Sequence, residues 1–212
     1  ESLRMATLDV RVAEHPDQEK LRLEKDMLEE VQSELKNLKG REKGLAYKEI
    51  NRGWKEIKRL EKQMAQDILD RAEVICSTCI GAGHEILSGR LFPFVLLDEA
   101  TQSSEPSSLV PLSRGSRQVV MVGDHRQLPP TVLSRRAEDG GLNRSLFERL
   151  IDSGMPVNML EVQYRMHPTI RDYPSGRFYD GRLEDGGDAL TRLAPAGVTW
   201  PDWDHPVAFV PV

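Results

Sequence analysis

The chain has 212 residues, of which 39% are hydrophobic and 30% are charged, and its formal net charge is −5. This apolar fraction is too high for a disordered chain, while no apolar run is long enough to cross a membrane and no signal peptide opens the sequence. Cys76 and Cys79 cannot build a disulfide framework, which favours a reducing compartment. Together these features exclude the secreted, membrane-spanning and disulfide-scaffold classes. We expect a protein of the cytoplasm, with the nucleus as the alternative.

The spacing of apolar residues in 1–72 predicts a pair of helices. Two one-sided apolar stripes run through this region, and Glu and Lys fill the surface between them. The first stripe consists of Leu21, Leu28, Val31, Leu35 and Leu38, and the second of Ile50, Trp54, Ile57, Leu60, Met64 and Ile68. With a break at Gly40–Gly44, this pattern favours an antiparallel helical hairpin. A coiled-coil homodimer is the alternative, but each stripe is short for one, and we expect a monomer.

From residue 73 onward the sequence alternates short strands with helices. The predicted strands are Ala72–Cys79, Phe94–Leu97, Gln118–Val122, Met159–Val162 and Val207–Val212, and the predicted helix is Asn143–Ile151. Such alternation is typical of a three-layer α/β fold with a parallel sheet. The wholly apolar run Phe94–Leu97 predicts a strand buried on both faces. Ligands of these sheets bind at the carboxyl ends of the strands, so the functional residues are expected there.

The first polar cluster follows the run Phe94–Leu97. Asp98 and Glu99 are adjacent carboxylates, and Gln102 lies about one helical turn further on. In nucleotide hydrolases a first carboxylate at such a place holds Mg²⁺ and a second activates the attacking water, and Gln102 is a candidate for contact with the same phosphates. The alternative is structural, with Asp98 and Glu99 capping the helix that follows.

The second polar cluster follows Gln118–Val122 and reads Gly-Asp-His-Arg-Gln-Leu-Pro-Pro. Asp124 and Gln127 stand with His125 and Arg126 where several donors can bind a phosphate-bearing ligand, and the prolines stiffen the loop. The only Cys-x-x-Cys pair lacks a second Cys/His pair at zinc spacing, so Cys76 and Cys79 are interpreted as small packed residues.

The third cluster is Gln163-Tyr164-Arg165-Met166-His167-Pro168, directly after a predicted strand. Arg165 is a candidate arginine finger for a phosphate, and Tyr164 offers a flat face for stacking on a base. A surface turn closed by Pro168 is the alternative for this segment.

Together the three clusters resemble motifs II, III and IV of superfamily-1 helicases. DEATQ, GDHRQLPP and QYRMHP occur in the same order and spacing as in that family, and the similarity is greatest to the group that contains the RNA helicase of nonsense-mediated mRNA decay. The segments AEVICSTCIGAG, SLFERL and FYDGRL support the resemblance, which covers nearly the whole chain and is weakest in residues 1–70.

The resemblance implies two RecA-like P-loop domains that bind ATP and Mg²⁺ between them and single-stranded RNA or DNA across them. The resemblance also implies a role for each matching position. In catalysis, Asp98 holds Mg²⁺ through water, Glu99 activates the attacking water, Gln127 senses the γ-phosphate and Arg165 is the arginine finger of the second domain. Gln102 and Asp124 contact the nucleotide, Tyr164 packs on adenine, and Thr78, Gly81 and Gly83 touch the nucleic-acid backbone. RNA is the preferred substrate, translocation is expected 5′→3′, and regulatory protein partners are compatible with this family.

The phosphate-binding motif G-x-x-x-x-G-K-[ST] of this family is absent, because no Gly-Lys dipeptide occurs and no lysine follows Lys62. The chain also does not begin with Met, so we expect a segment of a longer helicase that is inactive in isolation. Its predicted parts are a stalk hairpin at 1–72, the carboxyl half of the first RecA-like domain at 73–154 and the start of the second at 155–212. The alternatives are a non-catalytic binding or scaffold module and a DNA helicase of repair or replication.

Overall fold

A computed structural model describes residues 2–193, 196–197, 199–203 and 207–208. By its internal contacts the chain divides into two compact units. The first comprises Glu1–Val95 and Leu109–Gln118, and the second comprises Leu96–Ser108 and Val119–Val212. Within the described ranges, no helix is both long and apolar enough to span a bilayer.

The first unit begins with four helices. They are α1 (Ser2–Met5), α2 (Leu8–Ala13), α3 (Gln18–Glu34) and α4 (Gly40–Arg71). Helices α3 and α4 run antiparallel, because Lys25 pairs with Glu61 at 3.0 Å while the earlier His15 pairs with the later Asp67 at 3.1 Å. The connection between the two helices is residues 35–39, so α4 begins at Gly40 and continues through Gly44 without the predicted break.

The core of this unit lies between α3 and α4. It consists of Leu21, Leu28, Ile57, Leu60 and Met64, all of them members of the predicted stripes. Trp54 was also predicted for this seam but is 47% exposed. Gly53 occupies the seam instead: a Cβ atom there would lie 2.9 Å from Cδ1 of Leu28. The glycine therefore allows α3 to approach α4 closely, which offsets its low helix propensity.

The strand predicted at Ala72–Cys79 is absent, since these residues have no strand structure. β-branched residues favour strands only where a neighbouring strand accepts their backbone hydrogen bonds. The segment continues instead through two 3₁₀ turns at Gly81–Gly83 and Glu85–Leu87. Arg90 anchors it to α4 through Asp70 at 2.5 Å and the side chain of Gln66 at 2.5 Å.

Two of the predicted strands form a parallel pair. They are β1 (Phe94–Leu97) and β2 (Gln118–Met121). The N–H of Gln118 donates to the carbonyl of Pro93 at 2.9 Å, and the N–H of Val122 donates to that of Leu97 at 2.8 Å, so the two strands advance together. The expected burial of β1 on both faces is wrong: Val95 and Leu97 are buried, whereas Phe94 and Leu96 are 57% and 56% exposed. Successive side chains point to opposite faces, and only one face is covered by the described residues.

The remaining elements of the chain are short. They are α5 (Glu105–Leu112), α6 (Arg135–Asp139), α7 (Leu146–Asp152), β3 (Val162–Gln163), α8 (Pro168–Phe178), β4 (Glu184–Asp185) and α9 (Gly187–Leu190). The helix predicted at Asn143–Ile151 is present as α7, which starts later because the Ser145 hydroxyl accepts the Glu148 N–H as its N-cap.

The second pair of strands is also parallel, with Val162 opposite Glu184 and Gln163 opposite Asp185. Only the last residue of the predicted strand Met159–Val162 belongs to it. Of the strand predicted at Val207–Val212, residues 209–212 lie outside the described residues, and 207–208 are not in a strand. The described residues thus contain helices and two small parallel sheets, which is part of the predicted three-layer α/β fold.

Replacement of Leu28 by alanine tests the core between α3 and α4. Leu28 is 5% exposed, and its removal leaves a cavity against Gly53, so we expect a loss of about 2–5 kcal/mol in the free energy of unfolding. The matched control is Leu23→Ala on the same helix, since Leu23 is 53% exposed and should change stability by about 0.5 kcal/mol or less. Urea unfolding followed by helical circular dichroism measures both. Equal losses for the two variants would contradict this core.

Candidate functional site

The loops that follow β1 and β2 lie side by side within the second unit. The N–H of Ala100 donates to the carbonyl of Val122 at 2.8 Å, which continues the strand pairing past the end of β1. Gly123 makes the close approach possible, because a Cβ atom there would lie 3.1 Å from both the backbone nitrogen and Cγ2 of Thr101. The cluster that starts at Asp98 and the one that starts at Asp124 are therefore neighbours, as the parallel sheet predicts.

The carboxylates of Asp98 and Glu99 are exposed at the end of β1. Oδ1 of Asp98 accepts the N–H of Glu99 at 3.0 Å, and Oε2 of Glu99 accepts the side-chain amide of Gln102 at 3.1 Å. Glu99 precedes the 3₁₀ turn Ala100–Gln102 but makes no side-chain capping bond to it. Gln102 belongs to the same group as the two acids.

Glu99 has a left-handed backbone, with φ 49° and ψ 40°. This conformation costs an L-residue about 1–2 kcal/mol, and such local strain is concentrated at functional sites. It turns the chain sharply between buried Leu97 and buried Ala100. Two consecutive carboxylates thereby remain at the surface while the residues around them are packed.

Asp124 is the acid of the second cluster, and three donors hydrogen-bond to its carboxylate. Its Oδ1 accepts the N–H of Arg126 at 2.9 Å, and its Oδ2 accepts the side-chain amide of Gln127 at 2.8 Å and the hydroxyl of Tyr179 at 2.5 Å. Partial burial acts to raise the pKa of Asp124, but the hydrogen bonds from Tyr179, Arg126 and Gln127 outweigh burial and hold this pKa below its ordinary value. The Asp124 carboxylate is therefore kept charged, and it accepts a hydrogen bond from the Gln127 amide.

Tyr179 is the residue that sequence reasoning missed. It stands at the C-cap of α8, and its hydroxyl reaches Asp124 across 55 positions of sequence. Burial and the hydrogen bond to the Asp124 carboxylate raise the pKa of Tyr179 to about 12. The only available signal was the segment FYDGRL, which counted as family resemblance without a role for its tyrosine. No spacing rule connects residues so far apart in sequence.

Tyr164 and Arg165 follow β3. The side-chain oxygen of Gln163 accepts the N–H groups of Arg165 at 2.9 Å and Met166 at 2.7 Å, which fixes this turn. The ring of Tyr164 lies directly against Gly186 and is 60% exposed. Pro168 opens α8 directly after this exposed bend, so the surface-turn alternative for this segment is not contradicted. Among the described residues, no hydrogen bond or ion pair joins Arg165 to the acids after β1 and β2.

Thr78, Gly81 and Gly83 form a separate turn in the first unit. The Thr78 hydroxyl accepts the N–H of Gly81 at 3.0 Å, and a Cβ atom on Gly81 would lie 2.9 Å from that hydroxyl. At Gly83 a Cβ atom would lie 3.0 Å from Cγ1 of Val110. Both glycines therefore stand where a side chain would be crowded.

The pair Cys76 and Cys79 is not disulfide-bonded, and Cys76 is exposed while Cys79 is half-buried, so the interpretation of Cys76 as a packed residue is wrong. In the part of the chain that the structure describes, no group of three or more His, Cys, Asp or Glu side chains is arranged to hold a metal ion.

Comparison with known proteins identifies relatives over most of the chain. Residues 3–135 match a family model described as AAA domain, and residues 142–212 match a second model with the same description. The chain is 46% identical over 156 residues to the regulator of nonsense transcripts 1 homolog of Neurospora crassa, and 45% identical over 152 residues to the ATP-dependent helicase NAM7 of Saccharomyces cerevisiae. These matches cover 73% and 71% of this chain but only 14% and 16% of the two relatives.

A third relative is the probable helicase MAGATAMA 3 of Arabidopsis thaliana. It is 50% identical over 123 residues, which is 57% of this chain and 15% of that protein. The chain therefore corresponds to a small segment of each of these relatives.

Replacement of Asp124 by asparagine tests its charged state. Because the pKa of Asp124 is lowered in the folded protein, its stabilisation is complete above the unfolded pKa near 3.9 and is lost as pH falls through the folded value. We expect Asp124→Asn to destabilise the protein by about 1–2 kcal/mol at neutral pH, with the difference from wild type shrinking below about pH 4.

Thermal melts of both proteins across this pH range provide the measurement. Asp139→Asn is the control, since Asp139 is an exposed residue of α6. A destabilisation by Asp124→Asn that stays constant down to about pH 2.5 would show that the charge of Asp124 does not matter.

Proposed function

Because the chain belongs to the AAA-domain family of superfamily-1 helicases and is related to the helicase of nonsense-mediated mRNA decay, we propose that it is the central segment of an ATP-dependent helicase. The complete protein couples ATP hydrolysis to 5′→3′ translocation along single-stranded nucleic acid. The observation that carries the proposal is the juxtaposition of Asp98 and Glu99 with Asp124 and Gln127 at the ends of two paired parallel strands.

The acids after β1 suit Mg²⁺ chemistry. Asp98 and Glu99 present exposed carboxylate oxygens, the hard ligands that Mg²⁺ prefers, and Mg²⁺ commonly binds one or two carboxylates while it keeps several waters. Bound Mg²⁺ neutralises charge on the phosphates during transfer. In the proposed mechanism Asp98 holds the hydrated ion and Glu99 takes a proton from the attacking water. Gln102, hydrogen-bonded to Glu99, keeps that carboxylate oriented.

The groups after β2 and β3 contact the nucleotide. The Gln127 amide, presented by Asp124, is a donor for the γ-phosphate. Exposed Arg165 supplies positive charge to the transferring phosphoryl group from the second predicted domain. Tyr164 has its ring fixed against Gly186 on one side, and this arrangement supports stacking of adenine on the accessible side.

The turn of Thr78, Gly81 and Gly83 is proposed to contact the nucleic-acid backbone, because glycines allow close approach of the protein backbone to a phosphate. RNA is the preferred substrate, since two of the relatives are named regulators of nonsense transcripts. A DNA substrate is the alternative, and a comparison of RNA and DNA as stimulators of ATP turnover decides between them.

The proposed division of the chain follows the resemblance: a stalk hairpin at 1–72, the end of the first RecA-like domain at 73–154 and the start of the second at 155–212. The two AAA-domain matches meet between residues 135 and 142, which supports two successive domains. We propose a monomeric helicase of the cytoplasm.

The 212-residue chain alone is predicted to have no ATPase activity. It contains no Gly-Lys dipeptide, and without the lysine and backbone amides of the phosphate cradle the β- and γ-phosphates are not held for transfer. Phosphate release is measured with and without single-stranded RNA, with the full-length protein as the positive control. Robust stimulated turnover by the 212 residues alone would overturn the prediction.

Glu99→Gln in the full-length protein tests the proposed general base. The amide keeps the shape and the hydrogen-bonding capacity of Glu99 but cannot take a proton, so we expect turnover to fall by about 10²-fold or more while ATP still binds. Single-turnover hydrolysis and binding of a fluorescent ATP analogue measure the two steps. Glu49→Gln, an exposed position of α4, should leave both unchanged. Retained turnover in Glu99→Gln would assign the base to another residue.

A further inference from the structure

One carboxylate oxygen of Asp124 accepts hydrogen bonds from two side chains. Its Oδ2 accepts the amide of Gln127 at 2.8 Å and the hydroxyl of Tyr179 at 2.5 Å. Gln127 comes from the loop after β2, whereas Tyr179 comes from the far end of α8. A residue predicted to touch the γ-phosphate is thus connected, through a shared carboxylate and a direct side-chain hydrogen bond with Tyr179, to a helix in the segment predicted to start the second RecA-like domain.

The backbone of Tyr179 is held in place by the turn that ends α8. The N–H of Tyr179 and that of Gly181 both donate to the carbonyl of Ser175, at 3.1 and 2.9 Å, and Ser175 is buried. The Ser175 hydroxyl in turn accepts the N–H of Leu183 at 3.2 Å. Asp180 takes a left-handed conformation with φ 55° to close the turn. The backbone of Tyr179 is therefore fixed to the end of α8.

When the Gln127 amide turns from Asp124 toward a phosphate, the N–H that it donates to Asp124 becomes available to the ligand. When the Gln127 amide turns away, a partly buried carboxylate loses a hydrogen bond, which costs free energy unless another donor remains. Tyr179 is that donor, because it occupies the same oxygen. While the Tyr179 hydroxyl donates to Asp124, the Gln127 amide can break its hydrogen bond to Asp124 at a low cost in free energy. Without the hydroxyl, Gln127 is the remaining side-chain donor to Asp124, and its hydrogen bond is kept.

We propose that Tyr179 is a positioning residue that releases Gln127 from Asp124 toward the γ-phosphate and ties this release to the position of α8. The proposal rests on the proposed ATPase function. Tyr179 acts through Asp124 and does not touch the nucleotide itself. Its direct consequence is that the state of the Gln127 amide depends on the hydroxyl of a residue 52 positions later in the chain.

The first experiment observes Gln127 in the 212-residue chain by NMR, without any need for activity. The side-chain amide signals of Gln127 are assigned by their loss in Gln127→Ala. We expect Tyr179→Phe to shift these signals and slow their exchange with water, because Gln127 then holds Asp124 alone. Tyr173→Phe is the matched control, since Tyr173 lies on the same helix and is 72% exposed. Unchanged Gln127 signals in Tyr179→Phe would overturn the proposal.

A second variant keeps this test decisive if Tyr179→Phe fails to fold. Asp124→Asn removes the shared carboxylate while it preserves the size of the side chain. We expect it to move both the ring signals of Tyr179 and the amide signals of Gln127. A change confined to one of the two residues would mean that they are not connected through Asp124, and the proposal would be wrong.

The second experiment is a double-mutant cycle in the full-length protein. We expect Tyr179→Phe to lower kcat for RNA-stimulated ATP turnover by about tenfold, as for the loss of one charge-assisted hydrogen bond, with a smaller change in KM for ATP. In a Gln127→Ala background the same substitution should have no further effect. Additive losses would assign Tyr179 a role independent of Gln127 and overturn the proposal. A wild-type protein without stimulated turnover would refute the proposed function, while the NMR result still decides the link between Tyr179 and Gln127.

Discussion

The parallel pairing of β1 with β2 is the constraint on which the candidate site depends. Two parallel strands end at the same edge of a sheet, so their following loops must share a small space. The bond from Val122 to Leu97, followed by that from Ala100 back to Val122, extends the pairing beyond both strands. Gly123 is required at this crossing because a side chain there would press on the backbone of Thr101. Four polar residues far apart in sequence are brought together by these few backbone bonds.

Hydrogen bonds within each loop then fix the side chains that the pairing has brought together. Glu99 is turned outward by a left-handed backbone and held by Gln102, while Asp124 is held by three donors. Each carboxylate already has partners in the protein, so little rotational freedom remains to be lost when a ligand binds. Gln127 differs from these acids because it is a donor. Its side-chain amide donates to the Asp124 carboxylate and is able to donate to a phosphate oxygen instead.

Sequence reasoning succeeded where local pattern determines structure and failed where distant partners do. The apolar runs that became β1 and β2 and most of the hairpin core were predictable from periodicity. The strand at Ala72–Cys79 was wrong because β propensity does not supply a neighbouring strand, and Trp54 was placed in a seam that Gly53 occupies. Tyr179 could not have been found, since its contact with Asp124 depends on tertiary structure alone. The catalytic roles of Asp98, Glu99, Gln127 and Arg165 stay predictions.

Residues 73–212 contain arginine but no lysine, and the ion pairs of the structure explain this preference in part. Planar guanidinium groups suit two-point contacts with carboxylates as well as with phosphates. Several of these arginines bind the protein's own acids, in the pairs Arg90–Asp70, Arg144–Asp152, Arg149–Glu105, Arg171–Asp185 and Arg182–Glu161. These ion pairs neutralise individual carboxylates, but they leave the net charge of −5 unchanged. Arg165 forms no ion pair among the described residues, although Gln163 fixes its backbone. Its positive charge therefore stays available to a ligand, which is the property that a phosphate-binding arginine requires.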